Sequence, residues 1–189
     1  GLKSVLRDLL WNPGQPHYLG YVAYRGLTPT ASLPAGLITP SAANGNGPAT
    51  HFTRYLIRGG ETVNYVGFAR RDDWIDDGWS VPATIDEVLK SFEGWNEEVQ
   101  LIIKNTSAGR AHKWGMFGRG PLPQWSQGRV TLLGDAAHAM LPFLGQGVSM
   151  AIEDGIVLGR ALAEFGTTPE ALARYETVRR PRANEIVER

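Results

Sequence analysis

The stretch Gly128–Gly159, GRVTLLGDAAHAMLPFLGQGVSMAIEDGIVLG, decides the reading of this 189-residue chain. Gly128 to Leu133 is a short apolar, β-branched run bounded by glycines, the pattern of a buried strand. Gly134-Asp-Ala-Ala-His138 follows as a loop, and a helix is predicted from about Gly147 to Phe165. A strand that ends in Gly-Asp puts a carboxylate at the carboxyl edge of a sheet, where α/β proteins bind ligands. Asp135 can there accept hydrogen bonds from the hydroxyls of a sugar or polyol. Gly145-Gln146-Gly147 opens the helix, so unpaired backbone N–H groups and the positive end of the helix dipole face the space above them. That arrangement favours an anion or an electron-rich carbonyl. Without a Cβ at Gly145 or Gly147, a flat ligand can reach the backbone.

Working outward, Gly166-Thr-Thr-Pro169 breaks the long helix, and Pro169 suits the first position of a last helix running toward Arg189. Upstream, Tyr18 to Leu27, Thr50 to Ile57 and Thr62 to Ala69 are rich in aromatic and β-branched residues, with Arg58-Gly59-Gly60-Glu61 at hairpin length between the last two. They predict an antiparallel sheet, with His112 to Phe117 as a return strand. Ser41 to Pro48 has strong turn chemistry and no periodicity, which predicts an exposed loop. Thr84 to Phe92, opened by the capping-box pair Thr84 and Glu87, and Asn96 to Lys104 predict two short helices. Leu2, Val5, Leu6, Leu9 and Leu10 mark one apolar helical face, ended by Asn12-Pro13-Gly14.

Composition narrows the function. Nineteen Lys and Arg balance nineteen Asp and Glu, so no global field exists to hold nucleic acid or an anionic membrane. The absence of cysteine excludes disulfides, thiolate metal sites and a cysteine nucleophile, and makes the cytoplasm the expected compartment. No apolar run approaches the roughly 18 residues of a membrane-spanning helix. Twenty-three glycines and twelve prolines point to a turn-rich mixed α/β protein.

The Gly128–Gly159 stretch resembles the GD motif of FAD-dependent aromatic-ring monooxygenases, the single-component class that includes the salicylate and p-hydroxybenzoate hydroxylases. Gly1-Leu-Lys-Ser-Val-Leu-Arg7 looks like the tail of that family's Asp-Gly motif, and Tyr24-Arg25-Gly26, Tyr175-Glu176 and Pro181-Arg182 also match. The resemblance implies an α/β fold of α+β character: an antiparallel substrate-domain sheet plus the GD-motif strand, loop and helix of an FAD-binding domain. It divides the chain into a remnant of the FAD-binding domain (1–17), a substrate-binding sheet with its helices (18–118) and the GD-motif region with the C-terminal helix (119–189). It also implies a C-terminal portion of a longer enzyme, because no Gly-x-Gly-x-x-Gly occurs near the N-terminus to bind the FAD pyrophosphate.

By the same resemblance Asp135 would hold the ribityl chain of FAD. Gly145, Gln146 and Gly147 would face the flavin pyrimidine carbonyl, and Pro142 would lie beside the reactive face of the ring. In the salicylate-like branch a strand carrying His-x-x-x-Tyr lines the substrate pocket, here His51-Phe-Thr-Arg-Tyr55. Residues two apart on a strand share a face, so His51, Thr53 and Tyr55 point one way over roughly 13 Å. His51 is the base candidate. The implied reaction uses NAD(P)H to reduce FAD and molecular oxygen to hydroxylate a small phenolic or carboxylated aromatic. Expected partners are that substrate and oxygen, and an uncovered strand edge at Gly128–Leu133 would favour self-association.

Plainer readings stand beside these. Asp135 can cap the loop after its strand, and His138 can brace that turn rather than act on a substrate. His51 and Tyr55 can be packing residues, and Arg25 and Arg58 can be solvated cations or hold a substrate carboxylate. Asp72, Asp73, Asp76 and Asp77 lack the loop spacing of a calcium site. Gly147-Val-Ser149-Met-Ala151 nearly matches a serine hydrolase elbow, yet Ser149 falls within a helix. A catalytically silent binding or assembly module is the remaining alternative.

Overall fold

The computed structural model describes every residue except Ile75, Asp76, Asp77, Trp79 and Arg189. Asp76 and Asp77, half of the acidic group weighed above, therefore lie outside the described residues. The chain divides into two compact units, Tyr18–Met116 and a second formed by Gly1–His17 with Phe117–Arg189.

The first unit is built on an antiparallel sheet. Its strands are β1 (His17–Pro29), β2 (Ala42–Gly47), β3 (Thr50–Ile57), β4 (Thr62–Arg70), β5 (Val81–Pro82) and β6 (His112–Gly118), in the order β2-β3-β4-β1-β6-β5. Two helices, α1 (Val5–Trp11) aside, punctuate it: α2 (Ile85–Ser91) and α3 (Glu97–Lys104). One sheet face and these helices enclose a core of Val22, Tyr24, Phe52, Val63, Tyr65, Val88, Phe92, Val99, Ile102 and Ile103. Phe52 stacks on Tyr65 at 5.2 Å and meets Phe92 edge-on at 5.3 Å, geometries that aromatic quadrupoles favour. The predicted capping box forms by half. Thr84 accepts from the Glu87 N–H, but the Glu87 carboxylate turns away to Lys113, Arg71 and the Tyr24 hydroxyl.

The expected loop at Ser41–Pro48 is instead largely strand β2, paired in register with β3 from Ala42–Tyr55 to Gly47–Thr50. Its poor strand propensity misleads, because the glycines serve packing. A Cβ on Gly45 would come within 2.7 Å of the Trp95 ring, which also covers Gly47. Close approach of an indole to an edge strand requires glycine there.

The second unit packs β7 (Ser126–Gln127), β8 (Val130–Thr131), α4 (Asp135–His138), α5 (Gly147–Phe165) and α6 (Pro169–Val187), with α1. The buried strand expected over Gly128–Leu133 is corrected to the two-residue β8, in an antiparallel hairpin with β7 through Gly128 at positive φ. Leu132 is buried, while Leu133 is 43% exposed. The loop expected at Gly134–His138 is likewise corrected: Asp135–His138 closes one helical turn, with the Ala137 and His138 N–H groups bonding the Gly134 carbonyl. α5 spans the predicted Gly147–Phe165, and Pro169 occupies the first turn of α6.

α1 inverts its expected orientation. Val5, Leu6 and Leu9 are 69%, 52% and 75% exposed, and the buried residue is Arg7. The N-cap that sequence did not identify is Ser4, whose hydroxyl accepts from the Arg7 N–H. No described helix is long and apolar enough to cross a membrane.

Candidate active site

Gly134 sets the local geometry of the GD turn. Its φ of 56° and ψ of −145° lie in a region essentially confined to glycine. The turn exposes the Asp135 side chain, while Ala137 and His138 are buried. Two buried charges hold its ends. Arg7 donates from Nη1 to the carbonyls of Ala136 and Ala137, both at 3.1 Å, and from Nη2 to that of Gly120 at 2.9 Å, placing a cation at the carboxyl end of α4. Asp154, from the middle of α5, accepts on Oδ2 from the Gly134 N–H at 2.8 Å and from His138 Nε2 at 2.6 Å, and on Oδ1 from Arg179 Nε at 2.8 Å. Burial opposes ionisation of Asp154, but the hydrogen bonds from His138, Gly134 and Arg179 outweigh it and hold its carboxyl below the usual range. The His138 ring lies tilted against Trp125 at 5.2 Å, and its Nδ1 has no partner among the described residues.

Arg179 extends the network to Glu153 and to the Met150 carbonyl. Arg119 pairs with Asp8, and the Arg119 hydrogen bond draws the Asp8 carboxyl below its ordinary pKa. Sequence reading found His138 as a brace, but missed Asp154, Arg179 and the burial of Arg7. A carboxylate and an arginine 25 residues apart, each on a long helix, give no local signal.

Beyond the turn, Pro142 begins a short 3-10 turn, Pro142–Leu144, and Gly145 follows with φ 62°. Gln146 is the N-cap of α5, and no side chain caps that end. The first amides of α5 therefore lack a side-chain acceptor. An ideal Cβ on Gly145 would meet nothing within 4 Å, and one on Gly147 only Met140 Cγ at 4.0 Å, so the approach is open. Phe143, Leu144 and Val148 present exposed apolar surface alongside. An exposed carboxylate, free helix amides and apolar side chains suit a large flat ligand with a polyol tail and a carbonyl-bearing edge. By that test the residues fit FAD.

His51 and Tyr55 belong to the sheet unit. Sheet register puts three rows on the face opposite the aromatic core: His51–Phe68–Ala23, Thr53–Val66–Arg25 and Tyr55–Asn64–Leu27. His51 Nδ1 lies 2.6 Å from Asn46 Oδ1, and Nε2 lies 2.8 Å from the Thr53 hydroxyl. Because Asn46 Oδ1 only accepts, Nδ1 carries the proton and Nε2 keeps its lone pair, toward which Thr53 donates. Partial burial pushes the His51 pKa down, favouring the neutral ring. Tyr55 is 39% exposed, and Arg25 Nε donates to Asn64 Oδ1 at 3.0 Å. Asn64 is buried, and its Nδ2 has no partner among the described residues.

A separate cleft of about 880 Å³ in the sheet unit is lined by Glu87, Lys113, Arg71 and Lys90 among others, and contains neither His51 nor Tyr55. No cluster of three potential metal ligands occurs among the described residues.

The model of the FAD binding domain family matches residues 62–189. The chain belongs to that family. The relatives that it matches include monooxygenases named for hydroxybenzoate and hydroxynicotinate substrates. It is 38% identical over 187 residues to 3-amino-4-hydroxybenzoate 2-monooxygenase PtmB3 of Streptomyces platensis, covering 98% of this chain and 46% of that protein. It is 37% identical to 6-hydroxynicotinate 3-monooxygenase of Pseudomonas fluorescens, covering 98% of this chain and 49% of the relative. Among solved structures, a salicylate hydroxylase substrate complex superposes with a TM-score of 0.85 at 29% identity, over 100% of this chain and 51% of the other. HpxO of Klebsiella pneumoniae, complexed with FAD and uric acid, gives 0.84 at 25% identity over 100% and 47%. The chain spans about half the length of the curated relatives it matches.

Proposed function

We propose that this chain supplies the flavin-facing turn and the substrate-facing sheet of an NAD(P)H-using hydroxylase of a small phenolic or carboxylated aromatic. The observation that carries the reading is the GD turn, which offers the exposed Asp135 carboxylate beside a helix start that no side chain caps. Asp135 would hold the ribityl hydroxyls of FAD, and Gly145, Gln146 and Gly147 would direct N–H groups to the pyrimidine edge, where developing negative charge is stabilised. Pro142 would lie beside the ring. FAD, when bound, supplies the redox chemistry that takes electrons from NAD(P)H and activates molecular oxygen.

The chain's own residues then bind, orient and deprotonate the substrate. Asn46 fixes the His51 tautomer, so Nε2 is the nitrogen that accepts a phenolic proton once the Thr53 hydroxyl turns away. A deprotonated phenol is the more electron-rich ring. Tyr55 would bond a polar substituent, and the guanidinium N–H groups of Arg25 beyond Nε suit a carboxylate. Residues 1–17 and 119–189 would be the cofactor-side portion and 18–118 the substrate-side portion, working in the cytoplasm.

One other reading has a specific observation against it. A serine hydrolase needs Ser149 beside a histidine, but His138 Nε2 is taken by Asp154 and its Nδ1 has no partner among the described residues. A silent binding module would use the same uncapped α5 start and exposed Asp135, and turnover of an aromatic substrate by the full-length enzyme separates it from the hydroxylase. Self-association through the strand edge at Gly128–Leu133 is a further proposal, supported by the exposed Leu133 there, and sedimentation at several concentrations tests it.

The experiment is flavin titration of the full-length enzyme carrying Asp135→Ala. Loss of one or two charge-assisted hydrogen bonds should weaken FAD binding by about 1.5–3 kcal/mol, and unchanged affinity would overturn the assignment. Tyr55→Phe should leave FAD binding intact and raise the substrate Kd by the equivalent of about 1–3 kcal/mol; an identical substrate titration would reduce Tyr55 to packing.

A further inference from the structure

We propose that Asp154 is a positioning residue for the flavin site. Its carboxylate locks the Gly134–Asp135 turn to α5, so that the Asp135 carboxylate and the N–H groups at Gly147 are carried on one rigid frame. The inference rests on the flavin reading above. Asp154 stands seven residues into the helix that begins at Gly147, about 10 Å along its axis. It is fully buried, and its two oxygens divide the work: Oδ2 takes the Gly134 N–H and His138 Nε2, and Oδ1 takes Arg179 Nε.

Arg179 balances the charge, so the pair could be satisfied without Gly134. Placing the backbone amide on the same oxygen as His138 gives the carboxylate a directional hold on the turn. That hold is needed because no side chain within the turn caps α4, and because Gly134 has the widest backbone freedom of any residue there. An apolar side chain of similar size could fill the space, since a buried ion pair adds little net stability over a well-packed replacement. It could not fix the direction of an N–H.

The test uses Asp154→Asn, a near-isostere that must set its amide N–H groups against the N–H groups of Arg179 or of Gly134 and His138. In the chain itself, amide hydrogen exchange at Gly134 and Asp135 should accelerate by about tenfold or more, with exchange at Phe52 and Val63 of the sheet unchanged. Glu153→Gln is the control, because Glu153 contacts Arg179 and Arg182 without touching the turn. It should leave Gly134 exchange within about twofold of the original. In the full-length enzyme Asp154→Asn should raise the FAD Kd about tenfold and Glu153→Gln should not. Unchanged Gly134 exchange in Asp154→Asn overturns the proposal. So does a loosened turn with unchanged FAD affinity when Asp135→Ala does lose FAD; if Asp135→Ala loses nothing, the flavin reading fails as well. Should Asp154→Asn not fold, Asp154→Glu keeps the charge opposite Arg179 but displaces the oxygens by a methylene. Fast Gly134 exchange there supports positioning, and full restoration of slow exchange overturns it.

Discussion

The two units of this molecule differ in how much charge their interiors hold. The sheet unit closes around interlocked rings, Phe52, Tyr65, Phe92 and Tyr24, which bury apolar area with little directional demand. The GD-turn unit also has an apolar core, with Leu122, Trp125, Leu132 and Tyr175, but adds the buried charges Arg7, Arg119, Asp154 and Arg179 and the His138 ring, while Val5, Leu6, Leu9, Leu133, Val148, Ile152 and Ile156 stay exposed. Hydrophobic burial stabilises compactness, whereas hydrogen bonds to charged groups fix where particular backbone atoms lie. On the reading proposed above, a unit that presents a carboxylate and a row of amides to a ligand gains more from the second.

The largest effects are expected at the centre of each unit. Asp154→Ala would leave Arg179 buried beside an unpaired His138 and should destabilise the GD-turn unit by about 3–5 kcal/mol. Denaturant unfolding followed by Trp125, buried in that unit, would report the loss. Phe92→Ala should cost a similar 3–5 kcal/mol, but in the sheet unit, with the Trp125 transition left in place. If either substitution moves both transitions equally, the two units share one cooperative core and the contrast fails.

Acid should separate them next. The Asp154 pKa is depressed in the folded state, so its contribution is complete above the ordinary carboxylate value near pH 4 and disappears as pH falls through the lower folded value. The GD-turn unit should therefore lose Trp125 burial at a higher pH than the sheet unit loses its far-UV signal. Coincident acid transitions would show that the charge network is not the weak point. Gly134→Ala should cost about 1–3 kcal/mol through backbone strain alone, since its added Cβ would meet nothing closer than Ala151 Cβ at 3.5 Å. The smallest effect belongs to Asp135→Ala, which should change stability by less than about 0.5 kcal/mol because the side chain is exposed. A larger loss in thermal unfolding would make Asp135 a structural cap.

Sequence alone determined what local chemistry controls. The limits of α5 and β3, Pro169 in the first turn of α6, and the exposed Asp135 between an apolar run and a glycine-opened helix all follow from periodicity, breakers and caps within a few residues. Tertiary structure decided the rest. β2 is a strand because Trp95, half a hundred positions on by chain, needs the bare backbone of Gly45 and Gly47. α1 buries Arg7 rather than its leucines because three backbone carbonyls, of Gly120, Ala136 and Ala137, converge on the guanidinium. Asp154 gains its role only when α4, α5 and α6 bring Gly134, His138 and Arg179 to one carboxylate. Spacing along a chain encodes which face a residue occupies, but the partners of a buried charge are set by long-range packing, and no local period records them.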